Sequence, residues 1–580
     1  MSEVLTIEHM LDPDHIAVEI ADKWVEWNMY RESWKTQTKE LRDYLYATDT
    51  TTTGNSILPW SNTTTTPKLT QIADNLHANY FATLFPQQKW MRWDSASRDS
   101  SSVEKIRTIE FYMVNKVKHS NFVSTVSDLL VDWIHTGNCF AMVDWEMSYS
   151  NKEDGSTTAK YIGPKMHRIS PYDIVFNPAA ASFENTPKII RSIKSLGELK
   201  RAIDSDPTNK AMAAAFNKMM QARSSVASSD FSADKSQGFI ADGFNSIQQY
   251  YESDYVEILT FYGDIFDHES GELMKDRVIT IMDRAHLLSN EENPSWSGVA
   301  PIFHAGWRTR PDNLYAMGPL DNLVGMQYRI DHLENLKADV FDQIAYPIMK
   351  IRGDVEDFDF EPAARIYLGE EGDVDYLRPD ATALQADMQI QMIEQKMEEM
   401  AGAPKQAMGI RTAGEKTAFE VQSLQNASSR IFEHKAAHFE RMFLEPVLNT
   451  MLEVGRRNLQ VLEDIKVTDE STGEEFFTTI QKSDIVGSGR ISPIGARHFA
   501  ERARRVQSIT QLAQIKAQDP TIAPHMSGKE MARILAEELG EAKLFGENIS
   551  IAEQLETQQA SQDAEADNME SLEIAAEQGR

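Results

Sequence analysis

The sequence predicts an α+β fold, mainly α, and three observations carry the prediction. Long windows at 14–46, 67–84, 104–136 and beyond Gly318 space their apolar residues three and four apart, the period of a helix with one buried face. Shorter runs such as CFAMVDWEM (139–147) and YVEILTFYGDIFD (255–267) alternate or are rich in β-branched and aromatic residues, which predicts strands. A chain of 580 residues with 41% hydrophobic and 25% charged side chains has material for roughly two to four compact units.

Taken in order, 14–46 places Ile16, Ile20, Trp24, Trp27, Tyr30, Trp34, Leu41 and Leu45 on one helical face. The threonine-rich stretch 47–66 has no period and little apolar content, and reads as a long surface loop. Pro67 suits a helix start, and Leu69, Ile72, Leu76, Tyr80 and Leu84 mark the face of a helix that stops at Pro86. The pattern at 104–136 predicts a further helix, which Gly137 hands over to the strand beginning at Cys139. IGPKMHRISPYDIVFNP continues as strand, turn and strand. Residues 183–250 read as mostly helix or loop, with a loop at 223–238. Two β-rich runs at 255–267 and 272–283 predict a hairpin turning at His268–Gly271.

Beyond Gly318, Leu320, Leu323, Gln327, Ile330, Leu333, Leu336, Val340, Phe341 and Ile344 keep a helical period over about 28 residues, or roughly 42 Å. Pro347 closes this helix, and 347–380 is a mixed segment of acids, glycines and strand-like runs. A second helix is predicted at 381–402, with Ala386, Ile390, Ile393, Met397 and Met400 in a three–four repeat. Two narrow apolar seams around a small insert suggest a helical stalk with a tip. Thr417 and Glu420 have the form of a capping box opening a third long helix to about Leu459, with a kink near Pro446. Residues 464–494 return to strand and 495–545 to helix, and the acidic tail 546–580 is expected to be marginal helix or disorder.

The charge balance excludes some classes. With 89 acidic against 58 basic residues the net charge is −31, so the protein as a whole cannot grip a phosphate backbone by neutralising it. The N-terminus lacks the basic flank and apolar core of a signal peptide, and no window reads as membrane-spanning, so the expectation is a soluble cytoplasmic chain. The single cysteine, Cys139, excludes an internal disulfide and reads as a buried thiol.

Sites of chemistry are scarce. Gly409–Thr417 approaches a phosphate-binding loop, but Glu415 separates the second glycine from Lys416. His434 and His438 share a helical face, yet Lys435 stands where a zinc protease carries glutamate, so they read as surface or interface histidines. The acids Asp354, Glu356, Asp357, Asp359 and Glu361 lack the glycine and distal glutamate of a calcium hand and read as a solvated loop. No catalytic triad or dinucleotide fingerprint appears, so the expectation is a protein without enzymatic activity or cofactor.

Five segments, in this order, resemble the portal, or head–tail connector, proteins of tailed bacteriophages, podovirus-type. They are DNLHANYFATLFPQQKWMRWD (74–94), DLLVDWIHTGNCFAMVDWE (128–146), RISPYDIVFNP (168–178), WRTRPDNLYAMGPLDNLVGM (307–326) and GIRTAGEKTAFEVQ (409–422). The resemblance implies a ring of about twelve subunits with wing, helical stem, clip and crown. It implies a wing at 1–317 and 417–494, stem helices at 318–346 and 381–402, a clip at 347–380, a tunnel loop at 403–416 and a crown at 495–545. It further implies a virion protein at a capsid vertex, assembled in the host cytoplasm, that passes double-stranded DNA during packaging and ejection. The implied partners are the large terminase, tail adaptors, the major capsid protein and the scaffolding protein, with no membrane. The rival readings are a DNA-packaging ATPase and an assembly or scaffolding protein.

Residue roles follow from that frame. Asp387, Glu394 and Glu398 fall within about 40° on the second stem helix, and form either repulsive carboxylate rings in the bore or a solvated outer face. Lys405, Arg411 and Lys416 are then the basic contacts to DNA, or partners of those acids. Leu323, Ile330, Leu333, Val340, Ile390, Ile393 and Met397 are the expected stem contacts between copies. Val355, Glu356, Asp357, Phe358, Asp359, Phe360 and Glu361 are the expected surface for motor and adaptors.

Overall fold

The computed structural model describes residues 4–7, 13–46, 62, 64–86, 90–96, 103–151, 157–205, 210–226, 254–295, 300–353, 367–369, 371–377, 385–401, 431–459, 462–468 and 475–495, apart from a few single positions. Val355–Glu361, the basic residues Lys405, Arg411 and Lys416, the capping box at Thr417, the crown beyond Gly495 and the acidic tail lie outside the described residues.

In chain order, β1 (Val4–Ile7) precedes two helices, α1 (Pro13–Tyr30) and α2 (Glu32–Leu45), where the period predicts one. The break falls at Arg31. Its buried guanidinium donates to the carbonyls of Pro171, Tyr172 and Ile174 at 2.6–2.7 Å, a tertiary demand that a local period does not carry. Helix α3 (Lys68–Leu84) buries the predicted face of Leu69, Ile72, Leu76, Tyr80 and Leu84. After β2 (Met91–Ser95), the predicted helix at 104–136 is again two, α4 (Val103–His119) and α5 (Phe122–Thr136). They part at Asn121, with φ +61°, a residue type that tolerates the left-handed region.

Strands β3 (Asn138–Asn151), β4 (Thr157–Ile169) and β5 (Ile174–Phe176) follow the sequence reading. The stretch at 183–250 holds helices as expected, α6 (Leu196–Ser205) and α7 (Lys210–Val226), but also an unexpected strand, β6 (Lys188–Ser195). Arg223, expected to open a loop, sits in the last turn of α7. Next come β7 (Tyr255–Asp267), β8 (Leu273–Met282), β9 (His286–Glu292), β10 (Ile302–Gly306), β11 (Arg308–Arg310) and β12 (Asn313–Met317). A single 3-10 turn, Asp321–Leu323, leads into α8 (Val324–Ala345), the hairpin β13 (Ile348–Arg352) and β14 (Asp373–Leu377), and α9 (Asp387–Ala401). Residues 431–439 are helical, Glu440–Leu444 widen into a π turn, and α10 (Glu445–Asn458) continues. The chain closes its described part with β15 (Glu463–Thr468), β16 (Glu475–Ile480), α11 (Lys482–Ile485) and β17 (Gly489–Pro493).

The fold is mixed, with several sheets and many helices, and the chain divides into two units, 1–80 with 119–435 and 81–118 with 436–580. In the first unit, β5-β6-β7-β8-β9 form an antiparallel sheet, and β1 adds in parallel along Asp264–Asp267 of β7. Ile20 and Trp24 of α1 close over Leu259, Phe261, Ile279 and Ile281 of that sheet. Burying such a side chain contributes about 1.5–3 kcal/mol, which outweighs any preference of the isolated helix. The β8–β9 turn holds Asp283 and Arg284 at φ +51° and +57°, where side chains are disfavoured. Two buried ion pairs fix it, Asp283 to Arg223 and Arg284 to Glu257, both at 2.7 Å. A second sheet, β10-β3-β4, contributes Phe140 to a cluster with Phe176 of β5 and Tyr315 of β12.

In the second unit β2 pairs with β17 and β15 with β16. Asn449 of α10 brackets Ile491, accepting from its amide at 2.8 Å and donating to its carbonyl at 2.9 Å. The kink predicted near Pro446 takes the form of the π turn. The Glu445 amide donates five residues back to Glu440, which relieves the crowding that proline imposes on the turn before it.

Candidate functional site

The helix–hairpin–helix segment from Gly318 to Ala401 gathers most of the residues singled out from sequence, and its anchor lies in two of the sequence motifs. Gly137, at φ +73°, ends α5 back to back with Gly318. A Cβ at Gly137 would stand 2.5 Å from the Gly318 nitrogen, so only glycine permits this approach. The Gly318 amide donates to Asp321 Oδ2 at 2.7 Å, which fixes the turn into α8. Asn138 ties the same point: its Nδ2 donates to the Thr136 and Ala316 carbonyls, and its Oδ1 accepts from the Ala316 amide. Burial lowers His304 to about 3. The ring is therefore neutral, and its Nε2, 3.0 Å from Asn138 Oδ1, is the protonated nitrogen that donates.

The expected stem contacts do not face outward together. Leu323, Ile330 and Met397 are 0% exposed, and Leu333 and Ile390 are also buried, so their own chain covers them. This corrects their expected place between copies: α8 and α9 pack on each other and on the body of the first unit. Val340 and Ile393 are half-buried. The carboxylate stripe is corrected too. Glu398 is buried and ion-paired at 2.7 Å with Lys68, itself buried at the start of α3, so it is no free acid of a bore. Asp387 is exposed but bonded to Lys337, which also holds Glu334 at 3.1 Å, and Glu394 is half-buried.

The exposed apolar surface lies farther along. In the second half of α8 and in the β13–β14 hairpin, Phe341, Ile344, Tyr346, Ile348 and Ile351 are 46–76% exposed, as are Tyr367 and Leu368 between the two strands. The strands pair in register from Ile348 with Leu377 to Arg352 with Asp373. The insert expected as a polar tip is thus, in its described part, a hairpin with apolar flanks.

Sequence reasoning missed a polar row on α8. Gln327, Asp331, Asn335 and Asp339 recur every fourth residue, and each bonds to the main chain of the threonine-rich stretch, Gln327 through its Nε2 to the Thr66 carbonyl. The described part of 47–66 is therefore no free loop. Its signal is a four-residue polar repeat beside the apolar period, of which that period includes only Gln327.

Catalytic features are few. An open cleft of about 680 Å³ is lined by Thr6, Lys23, Glu26, Trp27, Tyr30 and Pro187 among others. Glu26 is held ionised there by Lys23 at 2.7 Å and by the Tyr30 hydroxyl. Cys139 is buried and its thiol is pushed well up by burial, as expected of a core thiol. Among the described residues, no group of three or more His, Cys, Asp and Glu side chains is placed to hold a metal, and no helix is long and apolar enough to cross a membrane. No protein-family model matches the sequence, and no curated protein aligns with it significantly.

Proposed function

We propose that the chain is the subunit of a ring-forming portal of a tailed phage, a conduit for double-stranded DNA and a platform for the large terminase and tail adaptors. One observation supports this reading most. The second half of α8 and its hairpin carry large apolar side chains that their own chain leaves bare. An aromatic side chain can bury about 150–250 Å², so the exposed Phe341, Tyr346 and Tyr367 are anchors of the kind that a specific interface uses. A surface on one side of the arm that meets a different surface on the next copy is heterologous, and such contacts close into rings.

The charge favours passage over grip. With a net charge of −31, DNA slides past the wall more readily than it binds. Asp387 and Glu394 stay as the candidate acids of α9 toward the bore, with Glu398 withdrawn. Val355–Glu361 stays the proposed docking loop for the motor. Negative-stain images of purified protein test the proposal. End-on views should show closed rings of about twelve subunits around a central opening. Dispersed single subunits at micromolar concentration would remove it.

A further inference from the structure

The described residues Asn62, Thr64 and Thr66 meet α8 through their main-chain groups, and the Asn62 side chain adds bonds from its Nδ2 to Asp339 Oδ1 at 2.9 Å and to Asp342 Oδ2 at 2.8 Å. The Asn62 amide donates to Asp339 Oδ1 at 2.7 Å, the Thr64 amide to Asn335 Oδ1 at 2.8 Å, and the Thr66 amide to Asp331 Oδ1 at 2.8 Å. In return, Asn335 Nδ2 donates to the Thr64 carbonyl at 3.0 Å and Gln327 Nε2 to the Thr66 carbonyl. The Leu69 amide then closes on Gln327 Oε1 at 3.2 Å. Asn62, Thr64 and Thr66 meet every fourth residue of the helix in turn, and the two run in opposite directions.

The spacing has a physical cause. Two residues of extended chain advance about 6.6 Å and four residues of helix about 6 Å, so a row at i, i+4, i+8 and i+12 stays in step with alternate amides. The row alternates side chains that both donate and accept, Gln327 and Asn335, with pure acceptors, Asp331 and Asp339. That pattern matches the amides and carbonyls of a strand, and the bonds it makes to Thr64 and Thr66 go to their main chain, whereas Asp339 also accepts from the Asn62 side chain. The fit is imperfect. Asp331 Oδ2 and Thr65 Oγ1 are buried without a hydrogen-bond partner, a cost carried by the occupied site.

We propose that the Gln327–Asp331–Asn335–Asp339 row of α8 is a binding site for extended polypeptide main chain, with Asn62, Thr64 and Thr66 as its resident and displaceable occupant. The ligand class is an extended peptide with free amides at alternate positions. The site does not depend on the portal reading, because it rests on hydrogen bonds within one unit of one chain.

The test uses full-length protein carrying Thr64→Pro and Thr66→Pro, which removes two of the donated amides, and a labelled synthetic peptide of residues 60–68. Fluorescence polarisation should show saturable binding to the variant and at least about tenfold weaker binding to the wild type, where the site is filled. N-methylating the peptide at the positions of Thr64 and Thr66 should weaken binding about tenfold or more. No binding to a variant with native near-UV circular dichroism, equal binding to both proteins, or indifference to N-methylation would each overturn the proposal. Should the variant fail to fold, native-state hydrogen exchange on the wild type decides. The Thr64 and Thr66 amides should exchange through a local opening that leaves Ile330 and Leu333 protected. Exchange of all four only on global unfolding would show that the occupant is not displaceable.

Discussion

From Gln327 to Asn335, helix α8 has one face covered by its own chain, with Ile330 at 0% exposure and a polar row bonded to the threonine-rich segment, while Tyr328 on the other face is exposed. From Phe341 onward the same helix stands bare, with Phe341 54% and Ile344 46% exposed. One apolar period runs through both halves. A period therefore tells which residues will be buried without telling by what, and the half that its own chain leaves open is where a partner is expected.

That contrast can be broken from the enclosed side first. Ile330→Asp places a carboxylate where no water reaches, at a cost of several kcal/mol, and should prevent accumulation of folded protein in a thermal melt. Leu333→Asp should destabilise the subunit itself, since Leu333 is buried within it. A cooperative melt unchanged from wild type in either variant would mean that this half is not enclosed.

Glu398→Ala is the next largest. It leaves the Lys68 ammonium buried without a counter-charge, bonded still to Gln71 Oε1 at 3.0 Å, which costs about 3–5 kcal/mol, whereas Lys68→Met with Glu398→Leu removes both charges and should recover most of the loss. Comparing the two melting temperatures checks this. A double variant no more stable than Glu398→Ala would show that the pair is not what holds α3 to α9.

The smallest effect is a control from a wetter surface. On the β3–β4 hairpin, the Asp144 carboxylate beside His167 raises its pKa above the usual value, with Glu146 adding to the effect and burial opposing it. Its contribution is therefore present below the ordinary histidine pKa of about 6.5 and lost as pH rises through the raised value. Melting temperature should fall slightly from pH 6 towards pH 8, and His167→Gln should flatten that slope. A slope unchanged in the variant would place the titrating group elsewhere.

Legibility followed the range of the interactions. The buried face of α3 and the β7–β8 hairpin are local patterns, and sequence places them well. The breaks at Arg31 and Asn121 were hidden because each is imposed by a distant carbonyl set or by a single backbone angle inside an unbroken period. Strand β6, KIIRSIKS, was missed because its alternation is masked by paired isoleucines and because β7, the partner along its full length, lies some 70 residues on. At the candidate site the helices were legible, but their facing was not. Glu398 sits among exposed acids in the helical wheel and is buried only because Lys68, more than 300 residues earlier, reaches it.

The central claim, that the bare half of α8 and its hairpin join copies of this chain, is tested most directly by native mass measurement of wild type and of a Phe341→Ser, Ile348→Ser variant. Both residues are exposed, so the subunit should keep its stability within about 0.5 kcal/mol. The account predicts a closed assembly of about twelve subunits for the wild type and single subunits or open fragments for the variant. A monomeric wild type, or a variant that keeps the full ring mass, would contradict it.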